Sequence, residues 1–248
     1  MAFAKTLLLF KKGDRLDVAN YRRISLLSVI YKVLTKVLAR RIGASVENSK
    51  FLPPEQAGFR RNFSTTDHIH SINMLAEKRY EHNQPLYVAF IDFRKAFDTV
   101  ELDAIWQALK ECDVDEGVIQ MVKLLYSEGS SAVEIQGQDA KYDTEKGVRQ
   151  GDTLSPLLFI LTLQLALNRM KSPGLRIDRR PLRYLAYADD VAIPAANIRS
   201  LTTAVRSLAT EAAKIGLEIN MKKTVWMRQS ALETKYDLLL YYGFGSVL

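Results

Sequence analysis

Apolar side chains return at helical spacing through SLLSVIYKVLTKVLARRI, residues 25–42. Leu26, Ile30, Val33, Leu34, Val37 and Leu38 fall on one face, and Lys32, Lys36 and Arg40 recur on the other. The spacing predicts an amphipathic helix with its first set turned inward. A short strand near Thr6–Phe10 precedes it across the polar KKGDRLDVANYRR, and the Pro- and Gly-punctuated FLPPEQAGFRRNFSTTD reads as a loop. A second helix covers residues 67–82. LYVAFIDF, residues 86–93, is a continuous apolar run of the kind found in buried strands, and AFDTVELDAIWQALKE follows as one helix in which Asp98 and Glu101 fit a capping box. Then come another helix, two short strands (AVEIQG and KYDTEKGV) and an apolar helix after RQGD. A hairpin in YLAYADDVAI, a helix near residues 198–215 and a strand in GLEIN complete the order. Strands mixed with helices, without regular βαβ alternation, give an α+β class. The apolar stretch LSPLLFILTLQLALNRM is broken by Ser, Pro, Thr and Gln and is too short to span a bilayer, so it reads as a buried helix.

Composition narrows this picture. At 248 residues, 48% hydrophobic and 25% charged, the chain is ordinary globular material for one compact unit or two intimate subdomains. Its single cysteine, Cys112, excludes an intrachain disulfide and points to a reducing, intracellular setting. With His68, His70 and His82 as the only histidines, no cysteine-based zinc site can form, and HIH reads as helix surface. The net charge of +7 is concentrated: the first fifty residues carry eleven Lys and Arg against three Asp and Glu. The stripe of Lys32, Lys36 and Arg40 reads either as a solvated face or as a track for phosphates. The N-terminal MAFAKTLLLFKKGD has only a short apolar run closed by lysines and shows no targeting signal.

The candidate chemistry lies in the acids. In RYLAYADDVAIPA, Asp189 and Asp190 adjoin where their neighbours are apolar. Like charges repel, and removing a carboxylate from water costs several kcal/mol unless a cation meets it. The run reads as two short strands joined at the acids, either as plain turn chemistry or as a place for a cation. Asp92 ends the strand LYVAFI and would also emerge at a sheet edge. Three acids at strand ends can hold two divalent ions, which in pairs about 3.5–4 Å apart clamp the attacking and leaving oxygens of a phosphoryl displacement.

VAFIDFRKAFDTV, KGVRQGDTLSPLLF, YADD and GLEINMKKT stand in the order and at about the spacings of reverse transcriptase palm motifs. RQGDTLSPLLF, with the upstream NYRRISLLSVIYKVL and LPPEQAGFRRNFSTTD, resembles the non-LTR (LINE-type) retrotransposon branch, over about residues 7–227. The resemblance implies a right-hand polymerase: fingers over residues 1–85, and a palm over 86–248 with a fingers-type insertion near 113–150. The antiparallel palm sheet packs on helices, and no complete thumb is expected.

It implies that Asp92, Asp189 and Asp190 bind two Mg²⁺, with Mn²⁺ a substitute and the Phe93 carbonyl assisting. Phe97 matches the aromatic that excludes a ribose 2′-hydroxyl, though a core ring would look the same. Gln150 and Gly151 match the pair under the incoming nucleotide, and Lys11, Lys12 and Arg22 match fingers positions that grip its triphosphate. Lys223 matches the lysine that protonates pyrophosphate, with Lys222 beside it. Gly58, Phe59 and Arg60 match a block that touches template. Asp98 is explained by its cap.

The expected partners are an RNA template, a DNA primer and dNTP, with no membrane, in a nuclear or cytoplasmic ribonucleoprotein. Two departures stand out. Arg23 replaces the branch's usual proline, and KYDLLLYYGFGSVL lacks the primer-grip wording. The chain thus reads as fingers and palm of a longer protein, or as a decayed copy that only binds nucleic acid. Group II intron and telomerase reverse transcriptases are the enzyme alternative, against which RQGDTLSPLLF argues.

Overall fold

Residues 4–127, 131–135, 138–142, 144–177, 180–229 and 239–242 are described by a computed structural model of the chain. The chain divides into two compact units interleaved in sequence, residues 1–51 with 97–162 and residues 52–96 with 163–248. The class is α+β, as the mixed pattern predicted.

In the first unit, β1 (Ala4–Phe10) and β2 (Tyr21–Leu26) form an antiparallel hairpin. β4 (Ser131–Ile135) joins β1 in parallel and β5 (Gln138–Tyr142) closes the sheet, in the order β2-β1-β4-β5. Helices α1 (Val29–Ser49), α4 (Leu102–Glu111) and α5 (Glu116–Ser127) surround a core that includes Ile42, Ile105, Leu109, Ile119 and Leu154, with Leu158 and Phe159 from the start of α6 (Ser155–Arg169). Cys112 is buried here, and desolvation pushes its thiol up to about 12, so it is an inert packing residue.

The face that α1 buries differs from the predicted one. Of the six apolar residues expected inside, only Leu38 is buried; Ile30 is 83% and Val33 58% exposed. The inward face is Tyr31, Thr35, Leu38, Ile42 and Val46. The reason is polar satisfaction. Tyr31 Oη accepts from Arg149 Nη1 at 3.0 Å, and the Thr35 and Thr153 hydroxyls share a bond of 2.8 Å, so these groups can be buried without losing hydrogen bonds. Lys32, Lys36 and Arg40 are exposed as predicted.

The single helix expected over 96–111 is two pieces, α3 (Ala96–Thr99) and α4, and Asp98 and Glu101 make no capping box. The carbonyls of Phe97 and Val100 accept instead from Val148 N and Gly147 N, each at 2.7 Å. That loop consumes the bonds a continuous helix would need. Gly147 has φ 82°, and a β-carbon there would lie 2.7 Å from the Asp98 backbone, so only glycine allows this approach.

The second unit is built on an antiparallel sheet of order β11-β10-β3-β9-β8, with β3 (Leu86–Ile91), β8 (Leu185–Tyr187), β9 (Asp190–Ala195), β10 (Val225–Gln229) and β11 (Leu239–Tyr242). α2 (Thr65–Glu81) packs on β3, and α7 (Ile198–Ala213) packs on β3 and β9. Leu75 of α2 joins Leu86, Val88, Leu185, Ala192 and Met227 in one apolar cluster, to which Leu175 of a small hairpin, β6 (Leu175–Ile177) with β7 (Arg180–Leu182), contributes. Ser64 and Asp67 form the capping box that starts α2.

The strand expected in GLEIN is reduced to one bridge, Ile219 with Phe93. Gly216 turns the chain at φ 80°, and the ladder on β3 is made by Val225–Gln229 instead. Of KYDLLLYYGFGSVL, residues 235–238 and 243–248 lie outside the described residues. Among the described residues, no helix is long and apolar enough to cross a membrane.

Candidate active site

The antiparallel register pairs Ile91 of β3 with Val191 of β9, so one step further sets Asp92 opposite Asp190. Alternation along strands puts both carboxylates on the face that carries Phe90 and Ala192. Phe90, Leu185, Tyr187, Asp190 and Ala192, with His68, Ile69 and Ile72 of α2, line one groove of about 240 Å³. Tyr187 pairs with Asp190, which leaves Ala188 and Asp189 as the two-residue tip of the β8–β9 hairpin. Ala188 takes φ 57°, the left-handed conformation that such tight hairpins require and that a β-carbon disfavours.

That strained tip is held by the loop before α2. Ala57 N donates to Ala186 O at 2.8 Å and Ala186 N donates to Glu55 O at 2.7 Å, so this backbone bridges β8. Gln56, fully buried, accepts at Oε1 from Gly58 N (3.0 Å) and from Ala188 N (3.3 Å). Gly58 lies directly against the tip: a β-carbon there would sit 2.1 Å from Ala188 N. The packing therefore accounts for Gly58 without a template. Arg60 donates to the carbonyls of Pro53 (2.7 Å) and Gln56 (3.1 Å) and lies 4.4 Å over the Phe63 ring, while Phe59 is exposed. Sequence reasoning missed Gln56, because nothing in PPEQAG distinguishes a buried glutamine from an exposed one.

Asp92 is held through its backbone. Its N–H donates to Thr224 Oγ1 at 3.2 Å, and its carbonyl accepts from Asn220 N at 2.7 Å. Its Oδ2 is buried with no hydrogen-bond partner among the described residues, and the nearest cation is Lys223, whose Nζ stands 3.8 Å away. The geometry thus separates Lys223 from its neighbour Lys222. The carboxyl of Asp190 is raised above the usual carboxylate range, first by burial and then by the charges of Asp189 and Asp92. These oxygens are the donor type that a hard divalent cation takes. They are not drawn into a closed shell: among the described residues, no three His, Cys, Asp or Glu side chains are arranged to hold a metal ion.

The first unit carries the other expected residues. Phe97 stacks on the buried Phe159, with ring centroids 4.4 Å apart and planes at 16°. Gln150 O accepts from Ser25 N at 2.7 Å, and Gly151, at φ 109°, lies so near Ser25 O that a β-carbon would be 2.7 Å from it. This pair is fixed edge-on to β2. On either side of it, Arg149 and Asp152 are each 4% exposed. Tyr31 bridges them, accepting from Arg149 and facing Asp152 Oδ2 at 3.5 Å, and the Arg149 guanidinium lies 5.4 Å over the Tyr126 ring. Burial nevertheless raises the Asp152 carboxyl, outweighing Arg149, and pushes the Tyr31 hydroxyl up to about 12. Lys11 and Lys12 are exposed in the turn after β1, and Arg22 stands opposite Leu9 across the same hairpin.

Residues 10–238 match the family model described as Reverse transcriptase (RNA-dependent DNA polymerase). The Retrovirus-related Pol polyprotein from type-1 retrotransposable element R2 of Popillia japonica is 31% identical over 89% of this chain and 31% of its own length. The R2DM polyprotein of Drosophila melanogaster is 26% identical over 89% of the chain and 21% of itself. The RNA-directed DNA polymerase from mobile element jockey of Drosophila funebris is 28% identical over 77% and 21%. The chain spans about a third or less of these relatives. Among solved structures, telomerase from Candida tropicalis truncated from its C-terminal domain superposes with a TM-score of 0.68 at 15% identity, over 92% of this chain and 50% of that one. The same telomerase in complex with a fragment of telomeric RNA gives 0.67 at 15%, over 91% and 41%. At such identity the likeness is one of fold, the α+β fingers and palm of a polymerase. Sequence and fold agree that this chain belongs to the reverse transcriptase family, on the branch of the non-LTR retrotransposons.

Proposed function

We propose that this chain performs RNA-templated DNA synthesis, in which a primer 3′-hydroxyl attacks the α-phosphate of a dNTP and releases pyrophosphate. The observation that carries the reading is the trio Asp92, Asp189 and Asp190 at adjoining strand ends, with the carboxyl of Asp190 opposed by both others. The family uses divalent metal ions. Here the three carboxylates, with the Phe93 carbonyl, would hold two Mg²⁺, or Mn²⁺ in their place. When bound, such ions stabilise charge on the attacking and leaving oxygens.

The chain's own residues do the rest. Lys223, beside Asp92, supplies a proton to the leaving pyrophosphate. Lys11, Lys12 and Arg22 grip the triphosphate, with guanidinium matching phosphate through two parallel hydrogen bonds. Gln150 and Gly151 lie under the nucleotide, held there by β2, whose Ser25 carbonyl takes the place a Gly151 β-carbon would fill. The Phe97 ring, braced by Phe159, lies against the sugar. Phe59 and Arg60 meet the template, and the exposed stripe of Lys32, Lys36 and Arg40 takes its phosphates. In this reading the sheet of β3 and β9 is the palm and the β1–β2 hairpin belongs to the fingers.

Primer extension on an RNA template, with and without Mg²⁺, tests the reading. Mg²⁺-dependent extension with dNTP is expected. Phe97→Ala should raise ribonucleotide incorporation relative to dNTP, each 1.4 kcal/mol of lost discrimination shifting the ratio about tenfold. Tight nucleic-acid binding with no extension under any metal would replace the enzyme with a binding remnant.

A further inference from the structure

Within the second unit, α2 and the β6–β7 hairpin form the two walls of a groove of about 450 Å³, whose lining includes none of Asp92, Asp189 and Asp190. Its floor is aliphatic: Leu75 of α2, Leu175 and Leu182 of the hairpin, and Leu185 of β8. At the rim, Met74 and Ile177 leave 46% and 41% of their surface exposed. Cations stand on both walls, Lys78 and Arg79 on α2 and Arg176 on β6, and no acid is among the described lining residues. Arg79 is tied to neutral acceptors. It donates from Nε and Nη2 to Pro85 O, at 3.1 and 2.8 Å, and from Nη1 to Gln84 Oε1. Among the described residues, neither Arg79 nor Arg176 has a carboxylate partner. Burial pulls the pKa of Arg79 below the ordinary guanidinium value, a cost that an anion beside it would offset. The carbonyl end of a helix favours cations, which accounts for Lys78 and Arg79. It does not account for Arg176, or for leucines left under an open groove.

We infer that this groove binds an acidic peptide segment of another polypeptide, seating apolar side chains between α2 and the hairpin and flanking Asp or Glu side chains against Lys78, Arg79 and Arg176. The volume lies in the range of ligand pockets, roughly 300–1,000 Å³. The cations are divided between two walls instead of converging on one point, so they match several carboxylates along a chain better than a single anionic head group. A nucleic acid would also bring spaced charges, but its bases stack on aromatic rings, and no Phe, Tyr or Trp lines the groove. The net charge of +7 sets the chain against a second copy of itself and toward an acidic partner. Met74 at the rim, unbranched and adaptable, suits contact with an apolar side chain.

A phage library of random dodecapeptides, panned on the full chain, supplies the probes. Selected peptides should combine apolar residues with two or more Asp or Glu, and fluorescein-labelled synthetic copies should bind the parent chain in anisotropy titrations, more weakly as salt is raised. Lys78→Glu with Arg176→Glu should weaken that binding at least tenfold, about 1.4 kcal/mol. A copy of the peptide with Lys in place of each acid should reverse the order and prefer the double variant. Met74→Asp, which sets a charge on the apolar rim, should weaken the acidic peptide as well. Lys78, Arg176 and Met74 are all exposed, so the melting temperatures of these variants should stay at the parent's.

Selected peptides without acidic residues, or a panning that enriches none, would overturn the inference. So would acidic peptides that bind the parent, the double variant and Met74→Asp equally, because they would sit elsewhere on the basic surface. A 20-nucleotide single-stranded RNA that displaces the peptide, and loses affinity in Met74→Asp as well as in the double variant, would make the groove a nucleic-acid site instead.

Discussion

Two regions of this molecule gather acids, and they treat them in opposite ways: Asp152 is buried, whereas Asp92 and Asp189 are half-buried and Asp190 is exposed. Around Asp152 the chain supplies its own compensation: the charge of Arg149, the Tyr31 hydroxyl between them, a bond from the Leu154 N–H at 3.3 Å, and aromatic rings over the guanidinium. Around Asp92, Asp189 and Asp190 like charges face one another. The cation nearest Asp92 is a lysine at 3.8 Å whose side chain is 64% exposed. The first cluster builds the loop that carries Gln150 and Gly151; the second is the one we propose holds a cation beside the substrate.

The sharpest way to break this contrast is to neutralise one acid of each cluster. Asp189→Asn should reduce primer extension at least a thousandfold, which is about 4 kcal/mol of transition-state stabilisation. Its urea melt and RNA affinity should stay near the parent's. A melt shifted as far as by a core substitution would make Asp189 structural and dissolve the comparison.

Asp152→Ala should do the reverse. It leaves Arg149 buried without its carboxylate, a loss of about 3–5 kcal/mol in denaturant melts. Replacing Arg149, Asp152 and Tyr31 together by Met, Leu and Phe should recover much of that stability, because an apolar cluster of similar volume needs no compensation. A single variant within about 1 kcal/mol of the parent would show that the network is ornamental.

How far these regions were legible in the sequence follows from how local their causes are. The hairpin around Asp189 was visible because apolar runs flank it, but its tip is Ala188–Asp189 rather than the expected Asp189–Asp190, since the left-handed turn at Ala188 pairs Asp190 with Tyr187. β3 and α7 were legible for the same reason. The inward face of α1 was not. Its apolar residues suggested one face, but Tyr31 and Thr35 took it because partners from residues 149–153, more than a hundred positions away, satisfy their hydroxyls. The break between α3 and α4 was hidden likewise, since the Gly147–Val148 loop takes the carbonyls a continuous helix would use. GLEIN looked like a strand by alternation, and the turn at Gly216 reduced it to one bridge. Asp98 was misread as a cap because its partners, Arg23 and Gln150, are distant in sequence.

A smaller effect should separate support from chemistry within the acid cluster. Gly58→Ala drives a β-carbon into the backbone of Ala188, so the tip carrying Asp189 has to move. Overpacking of this kind costs about 1–3 kcal/mol. Activity should fall by more than the stability loss explains, because displacing the tip misplaces a reacting-site carboxylate. A loss of stability with kcat intact in the folded fraction would show that the tip tolerates the shift.

The smallest effect expected is in pH dependence, and it bears on both clusters at once. Asp152 and Asp190 are both raised above the ordinary carboxylate value, chiefly by burial. Between that ordinary value and the raised one, the folded state binds more protons than the unfolded state. Stability therefore falls as pH rises through this window, and the contribution is fully present only below the ordinary value. Replacing either residue by Asn removes its share of the slope. The melting temperature of Asp190→Asn relative to the parent should thus climb as pH rises from acid toward neutral. Asp152→Asn should show the same trend from a lower baseline, because the charge that faces Arg149 is gone at every pH. Added Mg²⁺ then distinguishes the two. A cation bound among Asp92, Asp189 and Asp190 favours the ionised form, so it should flatten the slope that Asp190 contributes and leave the Asp152 slope untouched. If Mg²⁺ changes the Asp152 difference curve as much as the Asp190 one, the two clusters do not differ in the way their surroundings indicate.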